Sequence, residues 1–197
     1  MVANILHLVV YTLMSLLMII VILRFLLQLV RADFYNPISQ GIVKVTKPLL
    51  MPMRKIIPGL WGIDMASVVL MLVLQLVGIL VLGLIHGQLV IVGYPMHSII
   101  WAILGCLTIV SNIFFWSIII SIIGSWIAPA SGHPLLNLVN QLIHPIMAPF
   151  RRLLPPLGGV IDISPILVIL VLKVVDMLIL RAAVASYLNP SLVIGVW

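Results

Sequence analysis

Two short basic motifs, each followed by an aspartate, are the residues of this chain whose types and spacing could do chemistry. They are Arg54, Lys55 and Asp64 in the first half and Arg151, Arg152 and Asp162 in the second. Guanidinium and ammonium groups can bind the phosphates of lipid headgroups or an acidic segment of a partner protein. The alternative is that these charges only set the orientation of the chain in a membrane.

The two aspartates have three possible roles. Each precedes an apolar stretch, so each can cap the N-terminus of a helix by accepting backbone N–H bonds. Each also lies near a basic pair, so an ion pair could lock the intervening turn. The third possibility is a proton or cation site. In the second half, Ser164 and Pro165 are predicted as the N-cap and first helical residue.

A second polar set, Lys173, Asp176 and Arg181, lies inside an apolar stretch. Lys173 and Asp176 are three residues apart, so on a helix they share a face and can pair. Ionisable groups inside a membrane are costly and usually face the protein interior. Their predicted role is an ion or proton pathway, a contact with a partner helix, or an interior pair that fixes packing. The corresponding polar position in the first half is Gln75.

The other polar residues do not indicate an enzyme. The five histidines have no H-x-x-x-H spacing, and the chain contains no glutamate to complete a zinc or di-iron site. No phosphate-binding loop, nucleophile elbow or haem-attachment motif is present. Cys106, the single cysteine, is predicted to be a buried apolar residue. We therefore expect no catalytic residues, no metal and no cofactor.

Composition predicts an integral membrane protein. Hydrophobic residues make up 64% of the chain and charged residues only 7%, whereas about a quarter of a soluble domain is charged. The formal net charge is +6, and most of the positive charge lies beside apolar stretches. This pattern favours the bilayer, and anionic lipids in particular, as the partner, and no nucleic acid is expected.

The basic motifs belong to an internal duplication that relates the two halves by a shift of 97 positions. Prolines fix the backbone, so prolines in register indicate a shared chain path. The matched positions are Pro37 with Pro134, Pro48 with Pro145, Pro52 with Pro149, Pro58 with Pro155, Gly62 with Gly159 and, after a one-residue insertion, Asp64 with Asp162. The predicted units are residues 1–90 and 98–190, with residues 86–97 as the linker.

Four apolar runs predict four transmembrane helices, at about residues 5–30, 65–85, 98–127 and 165–188. The first lacks a preceding basic residue and a cleavage pattern, so it is interpreted as a retained span. Lys and Arg cluster in the loop inside each half and are absent from the linker, which predicts cytoplasmic loops and two periplasmic termini. The predicted fold is an all-α membrane protein of two parallel repeats, related by a pseudo-twofold axis along the membrane normal.

Each cytoplasmic loop is predicted to contain an amphipathic helix lying in the membrane interface, starting at Pro37 or Pro134. Pro48 and Pro145 are expected to end these helices. A second short turn would then carry the basic pair and end at Pro58 or Pro155. Arg24, near the end of the first span, is expected to extend towards the interface.

These motifs resemble the YggT family of small membrane proteins. The resemblance covers nearly the whole chain and depends on Pro37, Pro52, Arg54, Pro58, Gly62, Asp64 and their counterparts. It implies a bacterial inner-membrane protein associated with osmotic-shock tolerance, ion uptake, cell division and envelope processes. Members of the family in plastids are associated with cytochrome b6 haem attachment and nucleoid organisation. The first half has Met65 to Ser67 where the second has Ile163 to Pro165. If the serine–proline pair matters to function, the second half is expected to be the working half.

The favoured function is therefore non-enzymatic. We expect an inner-membrane scaffold, or an assembly or stress-tolerance factor, whose cytoplasmic face engages lipids or envelope and division proteins. The alternative is a component or regulator of ion transport. Because four short spans leave little room for a pore, transport would require a homo-oligomer.

Overall fold

The computed structural model describes residues 1–60, 62–88, 90–127, 132–153, 162–187 and 189–195. Within these residues the chain is helical, and an isolated bridge between Leu60 and Ile63 is the one extended pairing. The predicted all-α class is confirmed. The helices are α1 (Val2–Leu29), α2 (Pro37–Ile56), α3 (Met65–Ile85), α4 (Val90–Gly93), α5 (Pro95–Ile127), α6 (Pro134–Leu153), α7 (Ser164–Ala185) and a 3₁₀ helix (Pro190–Leu192).

Three of these helices, α1, α3 and α5, are long and apolar enough to cross a membrane. This gives the protein the character of a helical membrane protein. The helix α7 is 22 residues long, but it carries Lys173, Asp176 and Arg181 and is not one of the three.

Local sequence explains where the helices begin. The side chain of Asn36 accepts a hydrogen bond from the N–H of Ile38 at the start of α2, and Pro37 occupies the first turn. Asp64 caps α3 as expected. The prediction for α7 is wrong by one residue, because Ile163 is the N-cap and Ser164 is already helical. The capping acceptor is instead Asp162, whose Oδ1 lies 2.9 Å from the backbone nitrogen of Ser164.

The expected helix ends at Pro48 and Pro145 are also wrong. The helix α2 continues through Pro48 and Pro52 to Ile56, and α6 continues through both of its prolines to Leu153. All four prolines are exposed. The carbonyl groups that lose a donor therefore lie on the outer side of the helix, where solvent or headgroups can satisfy them.

The long helices pack side by side, with α3 and α5 between the other two and α1 also in contact with α5. The helix α1 packs on α3, α3 on α5, and α5 on α7, while α2 packs on α1 and α3, and α6 on α5 and α7. A twofold axis between the halves would make α7 pack on α1 as α3 packs on α5. Within the described residues α1 and α7 do not pack along each other, so the packing departs from twofold symmetry at this pair, and the expected pseudo-twofold relation of the repeats is not confirmed.

The last described residues fold back into the bundle. Leu192, Val193 and Ile194 are fully buried. The side chain of Gln75 donates to the carbonyl of Ile194 over 2.9 Å, and the N–H of Gly195 donates to the hydroxyl of Tyr11 over 3.1 Å. Irregular backbone at membrane depth is tolerated where protein covers it. This C-terminal segment, residues 189–195, therefore fills the space between α1, α3 and α5.

Candidate functional site

Arg54 joins three elements in the first half. Its Nη2 pairs with Oδ2 of Asp64 and lies 3.2 Å from Oε1 of Gln28 on α1. Asp64 is only 6% exposed, and its Oδ2 also accepts a hydrogen bond from the hydroxyl of Ser67 over 2.7 Å. The expected ion pair and helix cap are both confirmed. Together these bonds tie the end of α2 to α1 and to the start of α3.

Two opposing effects set the pKa of Asp64. Burial favours the neutral carboxyl, but hydrogen bonds from Arg54 and Ser67 and the charge of Arg54 favour the carboxylate. The second effect is larger, and the pKa lies below the usual value for aspartate. The carboxylate is therefore ionised at neutral pH.

The second half repeats this ion pair in a more open setting. Nε of Arg151 lies 2.9 Å from Oδ2 of Asp162, and the Asp162 side chain is 31% exposed. Burial again raises the pKa of Asp162, but hydrogen bonds from Ser164 and Arg151 outweigh it and leave the pKa lowered. The same pairing therefore closes both loops, with tighter burial in the first.

The two members of each basic pair have different surroundings. Arg54 and Arg151 are held by the aspartates, whereas Lys55 and Arg152 are exposed and make no ion pair among the described residues. The motif thus contributes one locked and one open cation in each half. Of the predicted binding residues, Lys55 and Arg152 are the ones without an ion-pair partner among the described residues, whereas Arg54 and Arg151 are partly exposed but already paired.

Two further hydrogen bonds fix α2 beside α6. The side chain of Asn36 donates to the carbonyl of Pro134 over 2.7 Å, and Oε1 of Gln141 accepts from the N–H of Asp33 over 2.8 Å. We did not predict these contacts. Asn36 directly precedes the matched Pro37, a position that indicates a helix cap. Its second partner, Pro134, lies 98 residues away, and sequence alone could not identify that contact.

The expected extension of Arg24 towards the membrane interface stays a prediction, and in the structure its guanidinium contacts α2. Its Nη1 donates to the carbonyl of Val43 over 3.0 Å and to the hydroxyl of Thr46 over 2.6 Å, so it ties α1 to α2. At the matched positions of the second half, the hydroxyl of Ser121 donates to Asn140 over 2.7 Å. A neutral bond therefore takes the place of a charged one.

Lys173 and Asp176 do pair, with 3.0 Å between Nζ and Oδ2. Oδ1 of Asp176 accepts from the hydroxyl of Ser111 over 2.5 Å, and Lys173 Nζ lies 4.5 Å from the ring centre of Phe115. These contacts tie α7 to α5. The side chains of Lys173 and Asp176 are 52% and 27% exposed, so they border the outer surface of this chain.

The other predicted intramembrane residues are separate from this pair. Gln75 is fully buried and binds the C-terminal segment. Arg181 is exposed and makes no hydrogen bond or ion pair among the described residues. Of the four predicted intramembrane polar residues, Lys173 and Asp176 are therefore the two that contact each other among the described residues.

The structural motif residues occupy the two loops. Pro37 and Pro134 open α2 and α6, Pro52 and Pro149 lie inside these helices, and Pro58 follows the end of α2. Gly62 has a φ of 81°, which favours glycine because a side chain would be strained there. Pro165 is the second residue of α7. Pro155 and Gly159 lie outside the described residues.

No set of three metal-ligating side chains comes together in the described part of the chain. The closest pair of histidines recorded there is His7 and His86, with 3.0 Å between Nδ1 and Nε2. This contact joins α1 to the residue that follows α3.

Most of the chain is similar in sequence to known bacterial proteins. It is 50% identical to an uncharacterized protein of Pseudomonas aeruginosa over 91% of this chain and 90% of that one. It is 38% identical to an uncharacterized protein from the proC 3′ region of Vibrio alginolyticus, over 85% of this chain and 89% of that one. The identity to the uncharacterized protein YggT of Escherichia coli K12 is 35% over 94% of each chain.

No solved structure matches this chain. The sequence model of the CCB3/YggT family matches residues 3–85 and residues 100–183, two segments whose starts differ by the same shift that relates the prolines. On this match and these relatives, the chain belongs to the CCB3/YggT family.

Proposed function

We propose that this protein is a non-enzymatic scaffold of the bacterial inner membrane whose cytoplasmic face engages anionic lipids or partner proteins. One observation carries the proposal. In each half an ion pair locks the elbow between the interfacial helix and the next long helix, and it leaves Lys55 or Arg152 exposed beside it. A rigid elbow with an open cation is suited to binding an acidic surface.

The exposed sides of α2 and α6 support a position in the membrane interface. In α6, Leu138, Val139 and Leu142 are buried against the bundle, whereas the polar side chains are exposed. In α2, the apolar side chains of Val45 and Met51 are exposed next to lysines. Such amphipathic helices lie with apolar groups in the acyl boundary and cations at the headgroups.

Four spans in two parallel repeats are part of this proposal. The helix α7 has the length of a span, and the pairing of Lys173 with Asp176 lowers the cost of its charges. The helices α2 and α6 begin and end at positions related by the same 97-residue shift. Basic loops and a linker without Lys or Arg favour cytoplasmic elbows and periplasmic termini.

Photocrosslinking tests the scaffold. A photoreactive amino acid is placed at Lys55 or at Arg152 in cells, with Tyr187, 86% exposed beyond α7, as the matched control on the opposite face. The proposal expects a discrete adduct from Lys55 and Arg152, identified by mass spectrometry as the same envelope or division protein, or as lipid. Equal adducts from Tyr187, or none from either elbow, would contradict it.

Ion transport in an oligomer is the second candidate. The observation that favours it is the half-exposed Lys173–Asp176 pair, which also contacts Ser111 and Phe115 inside the apolar region. The test is ion flux into liposomes that contain the purified protein. Flux that is abolished by Asp176→Asn would establish transport, and its absence at several protein densities would exclude this candidate for the pure protein.

A further inference from the structure

A cavity of 680 Å³ lies in the first half, between the end of α1, the inner side of α2 and the chain that enters α3. Its polar wall contains three guanidinium groups and one carboxylate, so it carries a positive charge. These residues are Arg24, Arg31, Arg54 and Asp64, with Gln28 and Ser39 between them.

Two buried polar atoms beside this cavity have no hydrogen-bond partner. They are the hydroxyl of Ser39, whose residue is 6% exposed, and Nε of Arg24. A buried donor without an acceptor is unfavourable, so native structures usually satisfy it. Both atoms can donate, and both would be satisfied by the oxygen atoms of an anion.

The sequence of the second half does not repeat the additional arginines and the serine of this wall. Ser121, Ala128 and Leu136 stand at the positions that match Arg24, Arg31 and Ser39, although the ion pair between arginine and aspartate is repeated. Since the elbow closes in both halves, the elbow itself does not require the additional arginines and the serine. Their presence in one half indicates a separate role.

The other wall of the cavity is apolar. Leu27, Phe34 and Ile42 line it, and the cavity adjoins the last turns of a helix long and apolar enough to cross a membrane. A ligand with a phosphate at one end and an apolar body at the other fits both walls. A free phosphate would occupy only the basic wall.

We propose that this cavity binds the phosphate group of an anionic lipid, with Arg24, Arg31 and Ser39 as its principal donors. Arg54 contributes charge but keeps its bond to Asp64. This cavity would be the place where the cytoplasmic face binds lipid, and the inference rests on the proposed function in that respect. It assigns the lipid site to the first half rather than to the second.

The test is an equilibrium titration of the purified full-length protein in neutral detergent with a fluorescent short-chain phosphatidylglycerol, followed by anisotropy. Arg31→Ala and Ser39→Ala remove donors, the first by installing the second half's own residue. Lys47→Ala is the matched control because Lys47 is an exposed cation of α2 that does not line the cavity. Unlabelled phosphatidylglycerol, phosphatidylcholine and inorganic phosphate serve as competitors.

We expect one saturable site, about fivefold weaker binding in Arg31→Ala, weaker binding in Ser39→Ala, and unchanged affinity in Lys47→Ala. Competition by unlabelled phosphatidylglycerol alone identifies the lipid as the ligand. Competition by millimolar inorganic phosphate as well shows that the phosphate group itself is recognised and that free phosphate can occupy the site.

Equally weakened lipid binding in Arg31→Ala and Lys47→Ala would contradict the proposed site, because the lipid would then respond to the overall positive charge rather than to this cavity. The absence of saturable binding, or equal competition by phosphatidylcholine, would overturn it as well. Variants that unfold are recognised by their thermal unfolding midpoint, and Ser39→Ala, a small exchange, then provides the test. Crosslinks from Lys55 and Arg152 would survive such a failure, so the scaffold proposal is judged separately.

Discussion

Arg54 and Lys55 are neighbours in the chain but have opposite surroundings, and the same is true of Arg151 and Arg152. The helical turn directs one side chain of each pair towards an aspartate and the other away from it. In each motif one cation is therefore engaged in an ion pair, and the other is exposed. Sequence identified the motif and the ion pair, but only the direction of the helix face decides which member is engaged.

The Arg54–Asp64 pair should make the protein sensitive to acid. Because the pKa of Asp64 is lower in the folded chain than the unfolded value of about 3.9, its stabilisation is complete above that value. It is lost as the pH falls through the lower, folded pKa. Asp64→Asn should lower the free energy of unfolding at pH 7 by about 2 kcal/mol and flatten its acid dependence.

Thermal unfolding in detergent between pH 2 and pH 7 measures this effect, and Asp162→Asn is the matched control from the other half. Because Asp162 is more exposed than Asp64, solvent screens its pair, and we expect a loss of at most about 1 kcal/mol. Identical losses in the two variants would show that burial does not distinguish the two elbows.

Asp176 should matter more for stability than Asp33. Asp176→Ala leaves Lys173 and Ser111 without their acceptor, and we expect a loss of about 2 kcal/mol. Asp33 is exposed, and among the described residues its carboxylate accepts a hydrogen bond only from the N–H of Tyr35 two residues later. Asp33→Ala should therefore be nearly neutral in the same unfolding measurement, and equal, negligible effects would refute this ranking.

At the scale of elements, the sequence predicts the helices well and their ends less well. The shared prolines and apolar runs predict long helices with an interfacial helix in each loop. They mispredict the ends at Pro48 and Pro145, because proline preferences are local and packing can override them. Here the outer face of α2 and α6 tolerates the missing donors, a fact that depends on which side of each helix contacts the bundle.

Two glycines in helices should respond to alanine in opposite ways. A Cβ on Gly105 of α5 would press against the side chains of Gln75 and Val193, whereas a Cβ on Gly41 of α2 would meet nothing within 4 Å. Gly105→Ala should destabilise the protein by about 1–3 kcal/mol through overpacking. Gly41→Ala should stabilise it by up to about 1 kcal/mol through helix propensity.

Thermal unfolding of the two variants and of the parent protein shows directly whether one loses stability and the other gains it. Gly105→Ala should also loosen the C-terminal segment, which limited proteolysis would detect as faster cleavage within residues 189–195. An unchanged melting temperature in Gly105→Ala would mean that the segment is not held against α3 and α5.

At the scale of the whole molecule, the sequence predicts membrane character but not the arrangement of the helices. Matched halves favour a twofold relation, yet α3 packs on α5 whereas the matching helices, α7 and α1, do not pack along each other within the described residues. The C-terminal segment explains part of this difference, since it binds Gln75, and the matched residue, Lys173, has no such covering within the described residues. Such contacts join residues more than a hundred positions apart, and periodicity carries no information about them.

The number of spans and their orientation can be tested with single cysteines. Cys106 is the only cysteine, so Cys106→Ser provides a background for cysteines at Lys55, Arg152, Val92 and Tyr187, all of which are exposed. In spheroplasts, a membrane-impermeant maleimide should label Val92→Cys and Tyr187→Cys but neither elbow variant. After permeabilisation all four should react.

The pattern of labelling separates the alternatives. Labelling of the elbows alone in intact spheroplasts would reverse the orientation inferred from the positive charges. Labelling of Val92→Cys without Tyr187→Cys would mean that α7 does not cross the membrane. The Lys173–Asp176 pair would then lie outside the apolar layer, and the charges of α7 would need no partner helix or pathway to account for them.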